Sequence, residues 1–384
     1  MGEEHASAVP FLDLRAQSVE IRDEVLAGWS AVLDGAGFIG GPQVADFERD
    51  FAAYIGVDHC IGVANGTDAL ELALRALGVG PGAEAILPAN TFVATAEAVW
   101  RVGARPVLVD VDPVHLLIDP AAVAAAITSR TQVIIPVHLF GQTAPVAEIR
   151  SISAVAERGI PVLEDAAQAQ GAYSADGRAG ALGRIAATSF YPGKNLGAAG
   201  DAGAVLTDDS ELATVVRSMA AHGSIVKYVH ERAGFNSRLD AVQAVALSAK
   251  LARLERWNEQ RRVAARTYAD LLAPLVEAGL LEPPTPRDGN VDVWHLYVVQ
   301  VDERERLIED LGAAGIGVGV HYPTPVHLTG AFAHLGYEEG DFPVSERAAR
   351  RILSLPMFPH LTQAQQERVA GVLTASLTRV VVRA

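Results

Sequence analysis

An α/β fold with a mostly parallel central sheet between helices, followed by a smaller α+β C-terminal domain, is what this 384-residue chain predicts. Three observations carry the prediction. Seven short apolar runs, CIGVA, EAILP, RPVLVDVD, TQVIIPVHL, IPVLEDAA, AATSFY and AGAVLTD, are rich in β-branched residues and stop at Gly, Asp or Pro, as buried parallel strands do. Between them lie stretches with 3.6-residue apolar spacing that end at Gly, such as TDALELALRALG, ATAEAVWRVG and VAEIRSISAVAERG. Beyond residue 250 this alternation gives way to fewer, more widely spaced elements.

In chain order, residues 1–20 read as an N-terminal arm and IRDEVLAGWSAVLD as a helix. GAGFIG at 35–40 matches G-x-G-x-x-G, but a helical pattern precedes it and Pro42 follows, so it reads as a helix stop and turn. A dinucleotide fingerprint needs a strand before it and a helix opening within it. The alternating strands and helices place a large domain at 1–250. RLDAVQAVALSAKLARLERWNEQRRVAARTYADLLAPLVEAG carries one apolar stripe, longer than an ordinary helix, and bridges into a small domain at 251–384. There VWHLYVVQV reads as a strand, ERERLIEDLGAAG as a helix, VGVHYPTPVH as a strand leaving into a turn, and TQAQQERVAGVLTASL as the last helix.

Lys plus Arg number 31 against 46 Asp plus Glu, a net charge of −15 with no basic run, the opposite of what nucleic-acid binding needs. Cys60 is the only cysteine and reads as strand core, which fits a reducing cytoplasm. No uninterrupted apolar stretch of about 18 residues occurs and no basic-then-apolar leader is present, so a soluble cytoplasmic protein without membrane association is expected. Gly2 begins a myristoylation-like start, but Ala6 stands where Ser or Thr is needed.

Parallel α/β sheets bind ligands beyond the carboxyl ends of their strands. Asn65 and Gly66 break the first strand, Thr67 and Asp68 are placed to cap the next helix, and the free N–H groups of such a start can hold a phosphate. An ordinary N-cap is the competing reading. Asp165 ends a strong strand, where a carboxylate needs a cationic partner or serves as a cap. Lys194 follows the strand AATSFY among Ser189, Tyr191, Gly193 and Asn195, in the setting of a Schiff-base lysine rather than a solvated one. Phosphate cradle, buried acid and lysine together fit pyridoxal 5'-phosphate. Lys194 would hold the aldehyde, Asp165 the pyridine nitrogen, and Gly66, Thr67 and Ser189 the phosphate. Phe92, in PANTFVATAEAV, is either a ring-stacking residue or core.

The ordered set GPQVADFERDFAAYIGV, ANGTDALELALRALGVGPG, PANTFVATAEAV, VDVDP, PVHLFGQ, EDAAQAQGA, SFYPGKNLGAAGDAGAV, HGSIVKY, GFNSRLDAVQAVAL, HYPTPVHL and SLPMFPHLT resembles the DegT/DnrJ/EryC1/StrS sugar aminotransferases over nearly the whole chain. The resemblance implies the type I fold of pyridoxal-phosphate enzymes. It implies Lys194 as the imine lysine, Asp165 on the pyridine nitrogen, Gln168 on the ring hydroxyl and Ser189 as a phosphate ligand. Gly66, Thr67 and Asp68 match the phosphate loop and Phe92 the stacking aromatic. Asn236 matches an asparagine that reaches the neighbouring subunit's cofactor, so a homodimer with shared active sites is implied. Gln170 stands where many relatives carry His, and Ala199 and Ala202 where a bulkier residue and Gly are frequent; these departures bear on substrate choice.

By the same resemblance, L-glutamate donates the amino group, pyridoxamine 5'-phosphate is the intermediate, and a nucleotide-linked keto-deoxysugar accepts. The stretch HGSIVKYVHERAGFNSRLD looks more like members that aminate C3 of a dTDP-3-keto-6-deoxyhexose than those acting at C4; a keto-cyclitol is a further alternative. Tyr191, Lys227, His321 and Tyr322 are the candidate substrate residues, each with a plain structural reading beside it. Sugar dehydratases of the superfamily typically carry His at the imine lysine, which Lys194 opposes. A non-enzymatic regulator remains a rival from another class. No metal site is expected, since His321 and His327 lack a carboxylate at ligand spacing.

Overall fold

The computed structural model describes residues 8–381. The first seven residues of the expected arm, Gly2 and Ala6 included, lie outside the described residues. Helix α1 (Leu14–Gly35) begins inside the stretch expected as arm, where Asp13 caps it by accepting from the N–H groups of Arg15 and Ala16, so the arm is shorter than 1–20; it ends at Ala36 in the left-handed conformation, and α2 (Pro42–Ile55) starts at Pro42. GAGFIG is therefore a helix stop and turn.

The α/β alternation follows: β1 (His59–Val63), α3 (Gly66–Ala76), β2 (Glu84–Pro88), α4 (Val93–Arg101), β3 (Arg105–Val109), α5 (Pro120–Ala126), β4 (Thr131–Ile134), α6 (Val146–Ser151), α7 (Ser153–Arg158) and β5 (Leu163–Asp165). A small hairpin, β6 (Tyr173–Ser174) and β7 (Gly177–Arg178), precedes β8 (Ile185–Ser189), β9 (Gly203–Thr207) and α8 (Ser210–Ala220). Strands pair in the order β3-β2-β4 and β1-β9-β8-β5. Parallel bridges Ile134 to Val162 and Val137 to Asp165 join the two sets edge to edge.

Three sequence expectations need correction. AGAVLTD forms β9, but it runs antiparallel to both β8 and β1, because the chain returns to it from the Lys194 loop without a crossover helix. VAEIRSISAVAERG is two helices, since Ile152 takes extended backbone between α6 and α7. VGVHYPTPVH makes only one isolated bridge, Gly319 to Ser354, rather than a strand.

The long apolar stripe is one 37-residue helix, α9 (Ala241–Glu277), with Trp257, Arg261 and Tyr268 fully buried on its inner face. Strand β10 (Tyr297–Gln300), α10 (Arg304–Ala313), α11 (Pro343–Arg351), β11 (Ile352–Leu355) and α12 (Gln363–Val381) complete the chain. Strands β10 and β11 pair antiparallel, and their apolar faces form a cluster with Tyr268, Leu272 and Leu373. A separate cluster under the sheet joins Phe47, Phe51 and Phe190, with ring centroids 5.3 to 5.7 Å apart. Cys60 is buried there, as its strand position predicts. Among the described residues no helix is long and apolar enough to cross a membrane.

One polar pair is buried completely. Ala144 N–H donates to His138 Nδ1 (2.8 Å), so the ring proton is on Nε2, which donates to Glu164 Oε2 at 2.7 Å. Glu164 also accepts from the backbone N–H groups of Gly180, Leu182 and Gly183, tying the segment between the hairpin and β8 to β5. Glu164→Ala would leave these donors without an acceptor. At about 1–3 kcal/mol for each buried donor left unpaired, it is expected to lower stability by about 3 kcal/mol or more, read as a reduced urea midpoint; an unchanged midpoint would contradict the assignment.

Candidate active site

Strands β1, β2, β5 and β8 end at one edge of the sheet, and the loops leaving them line a cavity of about 670 Å³. Asp165 is the last residue of β5. Its backbone is held from both sides, its N–H donating to Pro136 O and its C=O accepting from His138 N–H, both at 3.0 Å. Its carboxylate is 6% exposed and accepts from Thr95 Oγ1 (2.8 Å) and Ala167 N–H (3.2 Å). Burial raises its pKa, against which those two donors and the nearby Lys194 pull down.

Lys194 sits on a tight loop. Its N–H donates to Tyr191 O (2.8 Å), and Ala198 N–H donates to Phe190 O (2.7 Å). A Cβ at Gly197 would stand 2.3 Å from Pro192 O, so only glycine permits the turn there. Burial lowers the Lys194 pKa to about 8, with Asp165 opposing. Asn195 donates from Nδ2 to Asn258 Oδ1 and Val293 O, both at 2.9 Å, and anchors the loop on α9.

At the other end of the cavity, α3 opens with Gly66 and Thr67, whose N–H groups have no intrahelical acceptor. The cap is Asn65, whose Oδ1 accepts from Asp68 N–H at 2.8 Å. This corrects the sequence expectation that Thr67 and Asp68 are the caps; Thr67 is left free to line the cavity. Asp68 is not among the lining residues and pairs with Arg101 at 3.4 Å. Ser189 faces Gly66 so closely that a Cβ on Gly66 would lie 2.6 Å from Ser189 Cβ. A concave anion cradle of two N–H groups and a hydroxyl results.

Gln168 Oε1 accepts from Phe140 N–H (2.7 Å) and its Nε2 donates to Tyr322 Oη (3.0 Å), leaving one amide hydrogen unused. Phe92 is half exposed into the cavity, with its ring centroid 5.1 Å from that of Tyr322. Tyr191 and His321 also line it. His321 hydrogen-bonds Ser354 Oγ through Nδ1 and stacks on Phe11; burial, and then Lys194, lower its pKa to about 4. Lys227 and Asn236 are not in this cavity. Both are exposed on the 222–236 segment, Lys227 over the Tyr228 ring and Asn236 bonded to Arg238.

Of the departures, Gln170 donates through Nε2 to Thr188 Oγ1 and Ser189 O while its buried Oε1 has no partner. Ala199 is exposed and donates its N–H to Gln243, and Ala202 is buried. Sequence reasoning missed Thr95 and His295. Thr95 had a signal, since it lies three residues after Phe92 on the same helical face. His295 had none. It donates from Nδ1 to Asn195 Oδ1 (3.2 Å), because that amide's nitrogen is already committed, and burial holds it neutral.

A deep acid, an amine of lowered pKa, an aromatic face and a separate anion cradle match the parts of pyridoxal phosphate, and these residues could hold it. A model of the DegT/DnrJ/EryC1/StrS aminotransferase family matches residues 19–374. The chain is 46% identical over 361 residues to the dTDP-3-amino-3,4,6-trideoxy-alpha-D-glucose transaminase of Streptomyces venezuelae, covering 94% of each. It is 48% identical over 362 residues to the Pleiotropic regulatory protein of Geobacillus stearothermophilus, covering 94% of this chain and 96% of that one. Its fold is similar to the crystal structure of S. venezuelae DesV in complex with ketimine intermediate, with TM-score 0.92 and 44% identity over 96% of this chain and 98% of that one. The fold, the cofactor-shaped cavity and these likenesses agree, and the chain belongs to the DegT/DnrJ/EryC1/StrS aminotransferase family, whose members are pyridoxal-phosphate-dependent transaminases.

Proposed function

We propose that this enzyme transfers the amino group of L-glutamate to C3 of a dTDP-linked 3-keto-6-deoxyhexose. The observation that carries the reading is the Lys194 amine facing the buried Asp165 in one large cavity, on a chain similar to dTDP-3-amino-sugar transaminases at 42 to 46% identity. The intact site supports an enzyme rather than the regulatory role suggested by the name of the Geobacillus relative.

Pyridoxal phosphate, when bound, supplies an electron sink that acidifies the carbon bearing the amino group. Asp165 keeps the pyridine nitrogen protonated by offering it a desolvated carboxylate. Gly66 and Thr67 hold the phosphate with backbone N–H groups and Ser189 with its hydroxyl. Asp68 contributes position only, its carboxylate being turned to Arg101. Phe92 covers one ring face, and the spare amide hydrogen of Gln168 goes to the ring hydroxyl. Lys194 Nζ would take the proton from the donor carbon and deliver it to C4′ of the cofactor, so that the amino group stays behind, a role its lowered pKa suits near neutral pH.

On the substrate side, Tyr191 and Tyr322 offer hydroxyls at the cavity wall. His321 is uncharged at neutral pH and serves as a hydrogen-bonding group rather than a counter-ion. Lys227 and Asn236 are exposed and outside the lining of their own cavity, which supports a homodimer in which each reaches the partner's site. In this reading residues 1–250 form the cofactor-holding unit and 251–384 the smaller unit, with the arm contributing Phe11 and Leu12 to the wall.

Incubation with pyridoxal phosphate and borohydride should fix the cofactor to Lys194 in the wild type, as peptide mass spectrometry would show. Lys194→Ala should lose the label and lower glutamate-dependent amination of the keto-sugar by about 10²–10⁴-fold. Unaltered turnover in that variant would sink the mechanism. Lys194→Ala and Asn236→Ala subunits, each impaired alone, should regain activity when mixed and allowed to exchange, because one site of the heterodimer is then intact; no recovery would exclude sharing through Asn236. In the cofactor-free protein, burial favours the neutral amine, so labelling of Lys194 by acetic anhydride should rise with pH and level off above about 8. A rise continuing to the ordinary lysine value of 10.5 would show an unperturbed amine.

A further inference from the structure

Helix α9 carries a second buried lysine that the proposed reaction does not use. Lys250 is 8% exposed, and among the described residues its ammonium makes neither a hydrogen bond nor an ion pair. It lines a cavity of about 290 Å³ between α1 and α9, behind the loop that carries Lys194. Ile21, Val25, Trp29 and Ala246 make apolar walls, and the Trp29 indole is fixed by a 2.8 Å bond from Nε1 to Val242 O. Arg22 lines the same cavity from α1 and is exposed, again without an ion pair among the described residues.

No carboxylate answers these two cations. Of the neighbouring acids of α1, Glu20 is engaged with Arg256 and His360 and Glu24 with Arg253 at 3.0 Å, while Asp23 is exposed and does not line the cavity. A buried unpaired ammonium is costly, and an apolar side chain of similar length would remove that cost. Burial alone lowers the Lys250 pKa to about 8, so the amine is still largely charged at neutral pH.

We propose that this cavity is a second ligand site, which takes a small organic anion with an apolar body: the anionic head lies on Lys250 and Arg22 and the body against Ile21, Val25 and Trp29. The cavity is also lined by Pro192, Ala198 and Ala199, so its occupant touches the segment that holds Lys194 from the side away from the active site.

Hexanoate is a suitable probe for the full-length holoenzyme. Calorimetry should find one site per chain and hexanoate should raise Tm, whereas hexanol, which has the body without the charge, should do neither. Lys250→Met keeps the bulk and removes the charge, and should abolish the effect; Arg22→Gln should weaken it by about two- to fivefold. A measurement on the wild type guards against a variant that does not fold: hexanoate should slow acetylation of Lys250. Equal binding of hexanol, equal binding by a folded Lys250→Met, or acetylation of Lys250 that hexanoate leaves unchanged would overturn the site. So would absence of binding together with dissociation of Lys250→Met dimers on sedimentation, which would assign the cavity to a second copy of the chain.

Discussion

A carboxylate kept out of reach of bulk water governs the rest of this molecule. Asp165 ends β5 in an interior where an uncompensated charge is expensive, and the structure around it answers that cost. Thr95 and Ala167 supply donors, and the Lys194 amine supplies the opposite charge. Burial raises one pKa and lowers the other, and each group partly relieves its partner. An acid and a base poised within one cavity follow from desolvation.

Such a pair works only if neither side chain can drift. The parallel bridge from Val137, just beyond β4, fixes the Asp165 backbone, and the buried His138–Glu164 pair fixes the strand one residue before it. On the lysine side, α9 provides the anchor. Asn258 holds Asn195, beside Lys194, and Asn195 in turn accepts from His295. Arg261, one turn further along α9, donates to the carbonyl oxygens of Trp294 and Met357 at 3.0 Å. Its charge is buried without a carboxylate, and backbone carbonyl dipoles take its protons instead. One helix face thus ties the lysine loop to the segment that leads into β10.

About three turns before Arg261 the same helix carries Lys250, also desolvated but with no acid near it. The contrast is instructive. Lys194 and Lys250 have their pKa values lowered to about 8 by the same cause, yet only Lys194 has a carboxylate within electrostatic reach and a cavity large enough for a cofactor. A lowered pKa by itself therefore does not identify the reacting amine; the partner and the space do.

Much of this was legible in the sequence because it is local. Strand runs of β-branched residues, the Gly66 break before α3, Asp165 at a strand end and Lys194 on its loop all depend on neighbours within a few positions. The ordered motifs then identified the family, and with it the cofactor. What the sequence left open depends on contacts between distant positions. The antiparallel sense of β9 follows from how the chain returns after the Lys194 loop, which no apolar pattern encodes. Asn65 rather than Thr67 caps α3, a choice made by backbone geometry among adjacent polar residues that look alike in sequence. His295 stands beside Asn195 across a hundred residues of chain, and Lys227 and Asn236 lie exposed outside the cavity of their own chain. Local pattern determines which elements form and where the reactive residues sit on them. Which side chains meet, and which are stripped of water, is decided by burial in the folded chain.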